Sequence, residues 1–173
     1  DFFGTNETES VRAAYAILSS PSNNYTWYEL WRNPMLSFMP PAPLKGHSAV
    51  IMERLQSIES TMPLVISRLK KAATVVHDNN DHLRYLDFVA RLNLWFSKKV
   101  QVGEKVQELS GWASSSPRKD SVATAIVSLC ESVLGDLKPL RSEFESLWMK
   151  TNKPEGLEYL LMRHDRQKAF WQE

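Results

Sequence analysis

The chain has 173 residues, 43% hydrophobic and 24% charged, with six tryptophans, a composition that supplies a substantial core and excludes a disordered chain. Twenty-one Lys and Arg against twenty Asp and Glu leave a formal charge of +1, so no overall field favours nucleic acid or an anionic membrane. The single cysteine, Cys130, excludes an internal disulfide and a cysteine-rich metal site, and no apolar run approaches the roughly 18 residues that a bilayer-spanning helix needs.

In chain order, TNETESVRAAYAILSS places Val11, Tyr15 and Leu18 on one helical face, with Asn6 or Thr8 near its start; the polar run 19–24 around Pro21 ends it. Residues 19–46 form an aromatic, proline-rich segment expected to wrap against the body. Within it Trp27, Leu30 and Trp31 make one short helix before Pro34, and Pro40, Pro41 and Pro43 favour an extended link.

From His47 apolar residues recur at helical spacing: Val50, Ile51, Leu55, Ile58 and Met62, then Val65, Leu69, Ala72 and Val76. Pro63 falls inside this run and either opens a new helix capped by Ser60 or Thr61 or kinks a longer one; a break is expected there rather than one straight rod. HDNNDH, from His77 to His82, marks the next boundary. Asp81 to Leu109 then carries two adjacent apolar stripes. One passes through Leu86, Val89, Asn93, Phe96, Val100 and Gly103, the other through Tyr85, Phe88, Leu92, Trp95, Val102, Val106 and Leu109, the pattern of a central helix with more than one neighbour.

After an exposed crossover, Val122, Ile126, Leu129, Val133, Leu137, Leu140, Phe144 and Leu147 keep one phase through Pro139, which predicts a continuous helix over 121–151, kinked at the proline, in place of two separate helices. Asn152 is placed to end it in the left-handed conformation and Pro154 to open a closing helix, on which Leu157, Leu161 and His164 recur with Leu160, Gln167, Phe170 and Trp171 beside them. The reading is all-α: a single domain, 1–173, built as an irregular multi-helix bundle with long central helices and an aromatic, Pro-rich N-terminal segment. A start at Asp rather than Met suggests a piece of a longer chain.

No constellation for catalysis emerges, and no catalytic residue, metal ligand or cofactor site is assigned. His77 and Asp81, like Asp78 and His82, are four apart, but the intervening asparagines favour a turn and no further ligand closes a site. Asp136 and Glu143 read as solvated acids. Cys130, next to Leu129, reads as a small hydrophobe. Arg163, His164, Arg166 and Lys168 are interrupted by Asp165, so a solvated face or internal ion pairing is expected in place of an anion patch. Trp27, Trp31 and Arg32 are the candidates for an interface or a sugar contact, since two tryptophans four apart share a helical face; core packing is the plainer use.

Phe144, Leu147, Trp148, Asn152, Lys153, Pro154, Gly156, Leu157, Glu158, Arg163, Gln167 and Trp171 resemble the helical C-terminal region of bacterial family 20 beta-N-acetylhexosaminidases. Trp31, Arg32, Asn33 and Pro34 add weaker support. The resemblance implies a retaining glycoside hydrolase whose catalytic barrel precedes Asp1 and acts on N-acetylhexosamine-containing glycans, in a periplasmic or extracellular setting. The present chain would then be a noncatalytic accessory domain that buttresses the barrel or forms a homodimer surface. Phe144, Trp148, Pro154, Leu157 and Trp171 would be its structural anchors. The alternatives are a stand-alone helical protein-interaction module and, less favoured, a noncatalytic carbohydrate-binding module.

Overall fold

A computed structural model describes Phe3 and residues 8–23, 25–36, 45–113 and 119–172, with only the backbone considered at 8, 45–49, 112, 113 and 119. The fold is all-α, an irregular multi-helix bundle with long central helices: α1 (Thr8–Leu18), α2 (Trp27–Trp31), α3 (Lys45–Ala73), α4 (Asn80–Ala113), α5 (Lys119–Thr151) and α6 (Leu157–Gln172). The chain divides into two compact units, Asp1–Tyr25 with Gly46–Ser97, and Thr26–Lys45 with Lys98–Glu173. Residues 37–44, where the extended proline link is expected, and the crossover 114–118 lie outside the described residues.

In the first unit α1 buries Val11 and Ala14, while Tyr15, expected on the same face, is exposed. A one-turn 3-10 helix, Pro21–Asn23, follows. It buries Asn23, whose Nδ2 donates to the Ile17 carbonyl at 2.8 Å and whose Oδ1 accepts from Ser57 Oγ at 3.0 Å and Thr61 Oγ1 at 3.3 Å. This amide ties the end of α1 to α3. Replacing Asn23 with Ala removes three hydrogen bonds, while the Ile17 carbonyl keeps the Ser20 amide at 3.2 Å and Thr61 Oγ1 keeps the Ser57 carbonyl at 2.6 Å, so a loss of about 1–2 kcal/mol in urea unfolding is expected; Asn23→Asp, which keeps the acceptor alone, should recover part of it.

α3 differs from the expected break at Pro63, because the helix continues through that residue. Its apolar face explains this: Leu55, Ile58, Met62, Val65, Leu69 and Ala72 are all buried in unbroken phase, and burying that stripe outweighs the backbone hydrogen bond that a proline removes. The exposed position of Pro63 leaves its ring outside the packed face. HDNNDH straddles the boundary: residues 77–79 link α3 to α4, with Asn79 in the left-handed conformation (φ 55°), while Asn80, Asp81 and His82 already form the first turn of α4, where the Asn79 carbonyl accepts the His82 amide at 2.9 Å. Tyr25 stacks on Phe96 with centroids 4.4 Å apart, and its burial pushes the phenol well above its usual range.

In the second unit α5 passes unbroken through Pro139, as its continuous apolar phase predicts, and buries Val133, Leu137, Leu140 and Leu147. Lys98 Nζ donates to the Ser132 carbonyl at 2.9 Å and the Asp136 carboxylate at 2.6 Å, joining α4 to α5. The turn into α6 is built differently from the expectation at Asn152 and Pro154. Gly156 is its left-handed residue (φ 86°), and α6 starts one residue later, with the Pro154 carbonyl accepting the Leu157 amide at 3.1 Å. Glycine takes that conformation without a Cβ clash, which asparagine does at greater cost. Trp148 Nε1 donates to the Lys153 carbonyl at 2.8 Å and so anchors the turn from the α5 side. α6 buries Leu157, Leu161, His164, Gln167 and Trp171.

Candidate functional site

The candidate face is built around α2, a five-residue helix too short to hold itself in water. Its N-terminus is closed locally by a capping box: Thr26 Oγ1 accepts the Glu29 amide at 3.1 Å, and Glu29 Oε2 accepts the Thr26 amide at 2.6 Å. Its other end has no glycine cap. The carbonyls from residue 30 onward are taken instead by side chains arriving from far along the chain.

Lys99 Nζ donates to the carbonyls of Leu30 at 2.6 Å and Arg32 at 2.7 Å, with that of Glu29 at 3.5 Å. Gln167 Nε2 on α6 donates to the carbonyls of Trp31 at 2.9 Å and Arg32 at 3.0 Å. Gln107 Nε2 donates to the Met35 carbonyl at 3.1 Å. Lys99, Gly103 and Gln107 stand four apart, hence on one face of α4, and the segment 30–35 runs along that face. Gly103 makes room for it: a Cβ there would lie 2.5 Å from the Pro34 carbonyl oxygen, inside any real contact distance. Pro34 is itself fully buried. The strap is therefore held by its backbone and by the buried Leu30 and Pro34, which leaves Trp31 against His164 of α6 and Trp27 largely exposed.

The electrostatics follow from that geometry. Lys99 is completely buried, and desolvation together with the positive charge of Arg32 lowers its ammonium to about 7. Protonated or neutral, its Nζ remains a donor to the carbonyls around it. His164, 2% exposed, lies edge to face with Trp31 at 4.6 Å and beside Phe144 at 5.4 Å. Burial, then the charge of Arg141, lowers its pKa to about 4, with Asp165 acting in the opposite direction, so the imidazole is neutral near pH 7.

Of the residues singled out in the sequence, Trp31 is half-buried with its ring against His164, and Trp27, 49% exposed, meets Trp31 edge to face at 5.5 Å. Arg32 contributes its carbonyl to the cradle. The guanidinium of Arg163 sits 5.3 Å from the centre of the Trp27 ring and 5.5 Å from that of Tyr159. Beside it is a cleft of about 170 Å³ lined by Trp31, Tyr159, Met162, Arg163 and Arg166. Tyr28, Tyr159 and Met162 are largely exposed, and Trp27, Trp31, Tyr159, Met162 and Arg163 gather aromatic, methionine and arginine side chains on one surface, the residue types enriched in protein interfaces. Phe144 and Trp148 lie with ring centres 6.0 Å apart on α5, Leu157 and Trp171 are buried in α6, and Pro154 is exposed in the turn before it.

Sequence reasoning missed Lys99, Gly103, Gln107 and Gln167 as positioning residues. A signal for the first existed: Phe88, Leu92, Trp95, Lys99, Val102 and Val106 keep one helical phase, and a lysine filling an apolar position in such a stripe asks for buried acceptors. Cys130 is half-buried with its thiol pushed up by desolvation, unlike a prepared thiolate. Among the described residues, no group of three or more His, Cys, Asp and Glu gathers as metal ligands would, and no helix is long and apolar enough to cross a membrane. In comparisons with known proteins, the chain matches no family model, no curated protein and no solved structure.

Proposed function

We propose that this chain is a noncatalytic helical support and interaction domain whose contact face is Trp27, Tyr28, Tyr159, Met162 and Arg163. One observation carries the reading: two buried polar side chains, Lys99 and Gln167, with the half-buried Gln107 and a glycine, hold residues 29–35 in place directly after the exposed Trp27 and Tyr28. A surface ordered before its partner arrives loses less conformational entropy on binding, and that is the use of such rigidity. Stacking of Arg163 between Trp27 and Tyr159 fixes a guanidinium where it can meet a carboxylate or a carbonyl of the partner.

The proposed partner is a sugar-hydrolase barrel of the family 20 beta-N-acetylhexosaminidase type. That part rests on the terminal residues Phe144 to Trp171 alone. A photoreactive benzoylphenylalanine at Tyr28 tests both parts in cells that produce the native protein. An adduct to a hydrolase domain, in the same polypeptide or a separate one, that falls severalfold with Trp27→Ala or Arg163→Ala is the expected result. An adduct to an unrelated protein would retain the interaction face and discard the hydrolase. No adduct, or one indifferent to both substitutions while the helical signal is intact, would discard the face itself.

A further inference from the structure

A second concavity lies between α5 and α6, with a volume of about 640 Å³. Its walls carry Leu134 and Leu137 alongside Lys138, Arg141 and Lys168, and its one carboxylate, Asp165, is committed to Arg141 through contacts of 2.8 and 3.2 Å. Arg141 also meets Glu145 at 3.7 Å, so the groove's surplus positive charge is that of Lys138 and Lys168, in an otherwise nearly neutral chain. His164, 2% exposed, also lines it, and its Nδ1 is buried without a hydrogen-bond partner, a costly state for a polar atom unless something supplies one. Gly135 opens the wall further: a Cβ there would meet nothing within 4 Å.

We infer that this groove binds a small amphipathic organic anion, its aliphatic body on Leu134 and Leu137 and its single anionic head among Lys138, Lys168 and Arg141. The volume falls within the roughly 300–1,000 Å³ of small-molecule clefts, which likewise combine an apolar lining with a few placed polar groups. The head is recognised by charge, and Lys138 and Lys168 are exposed, so affinity should decline as salt is raised. The body is recognised by burial. A ligand with only one of the two parts therefore forfeits half of the recognition. The inference is independent of the aromatic face and of any hydrolase.

Decanoate, kept below its micelle threshold, is the probe, with decanol and acetate as ligands that lack the head and the tail. Calorimetry and amide spectra of the 173-residue chain should show one-to-one decanoate binding, with shifts centred on the amides of Gly135, Leu137 and Lys168. Binding at least tenfold weaker is expected for decanol, for acetate, and for decanoate with the Lys138→Gln, Lys168→Gln double variant. Gly135→Leu fills the groove from a helical position where leucine is the better helix former, so it should abolish binding while raising the melting temperature. That combination separates a filled site from a damaged fold. The inference is overturned if decanoate fails to bind at millimolar concentration, if decanol binds equally well, or if folded Gly135→Leu binds as the wild type does. It is equally overturned if a short polyglutamate peptide, and not decanoate, shifts the groove amides.

Discussion

At pH 9 the Lys99→Met variant should be less stable than the wild type by about 2–4 kcal/mol, because the Leu30 and Arg32 carbonyls lose a buried donor while the methionine keeps most of the stem volume. The gap should then close as the pH falls. Lys99 is near 7 in the folded protein against 10.5 for an ordinary lysine, so between those values the unfolded chain binds more protons than the native one. Wild-type stability therefore rises with pH across that window by up to about 1.4 kcal/mol per unit, is fully present above the unfolded value, and is lost as the pH falls through 7. Methionine does not titrate. Urea unfolding of both proteins at pH 7, 8 and 9 should give diverging lines, nearly coincident at pH 7. Parallel lines would mean that the ammonium is not desolvated in the native state.

Two single-methyl additions on long helices should act with opposite signs. Gly103→Ala forces a Cβ to 2.5 Å from the Pro34 carbonyl oxygen, and since the obstacle is backbone, the strap or α4 must move. The overpacking cost, about 1–3 kcal/mol, exceeds the helix propensity gained, which is at most about 1 kcal/mol. A net destabilisation is expected. Gly135→Ala adds the same methyl into open space and should keep its propensity gain, stabilising the protein by about 0.5–1 kcal/mol. Denaturant midpoints of the pair check the contrast. Equal shifts would show that α4 and the strap are not in close register at this glycine.

The helices were legible in the sequence because burial repeats with their period. The phase from Val122 to Leu147 carried α5 through Pro139, and the spacing of Leu157, Leu161 and His164 marked the inner face of α6. The same rule holds at Pro63, where the stripe from Leu55 to Ala72 is equally continuous and α3 runs through the proline instead of breaking there. At the turn after α5, the left-handed position expected at Asn152 falls at Gly156, since the positive φ lies immediately before α6 and not immediately after α5.

The strap was far harder to read. Trp27, Trp31 and Arg32 stood out by their side chains, yet what positions them is a row of backbone carbonyls, and carbonyls have no sequence signature. Their donors come from residues 67 to 136 positions away, at distances in the chain that no local pattern joins. Lys99 alone left a mark, as a cation in an apolar phase. Gln107 and Gln167 look like ordinary polar positions until the carbonyls beside them are known.

Amide hydrogen exchange at Met35 and Leu36 most directly probes whether residues 26–36 form a platform clamped through its carbonyls. The Met35 amide donates to Asn33 Oδ1 at 2.8 Å and the Leu36 amide to the Asn33 carbonyl at 3.1 Å, both in a short turn that would exchange freely if the clamp were absent. Protection in the wild type that falls by roughly tenfold or more in Gly103→Ala, with the α6 amides unchanged, is the predicted result. Exchange at free-peptide rates in the wild type, or protection that Gly103→Ala leaves intact, would contradict it.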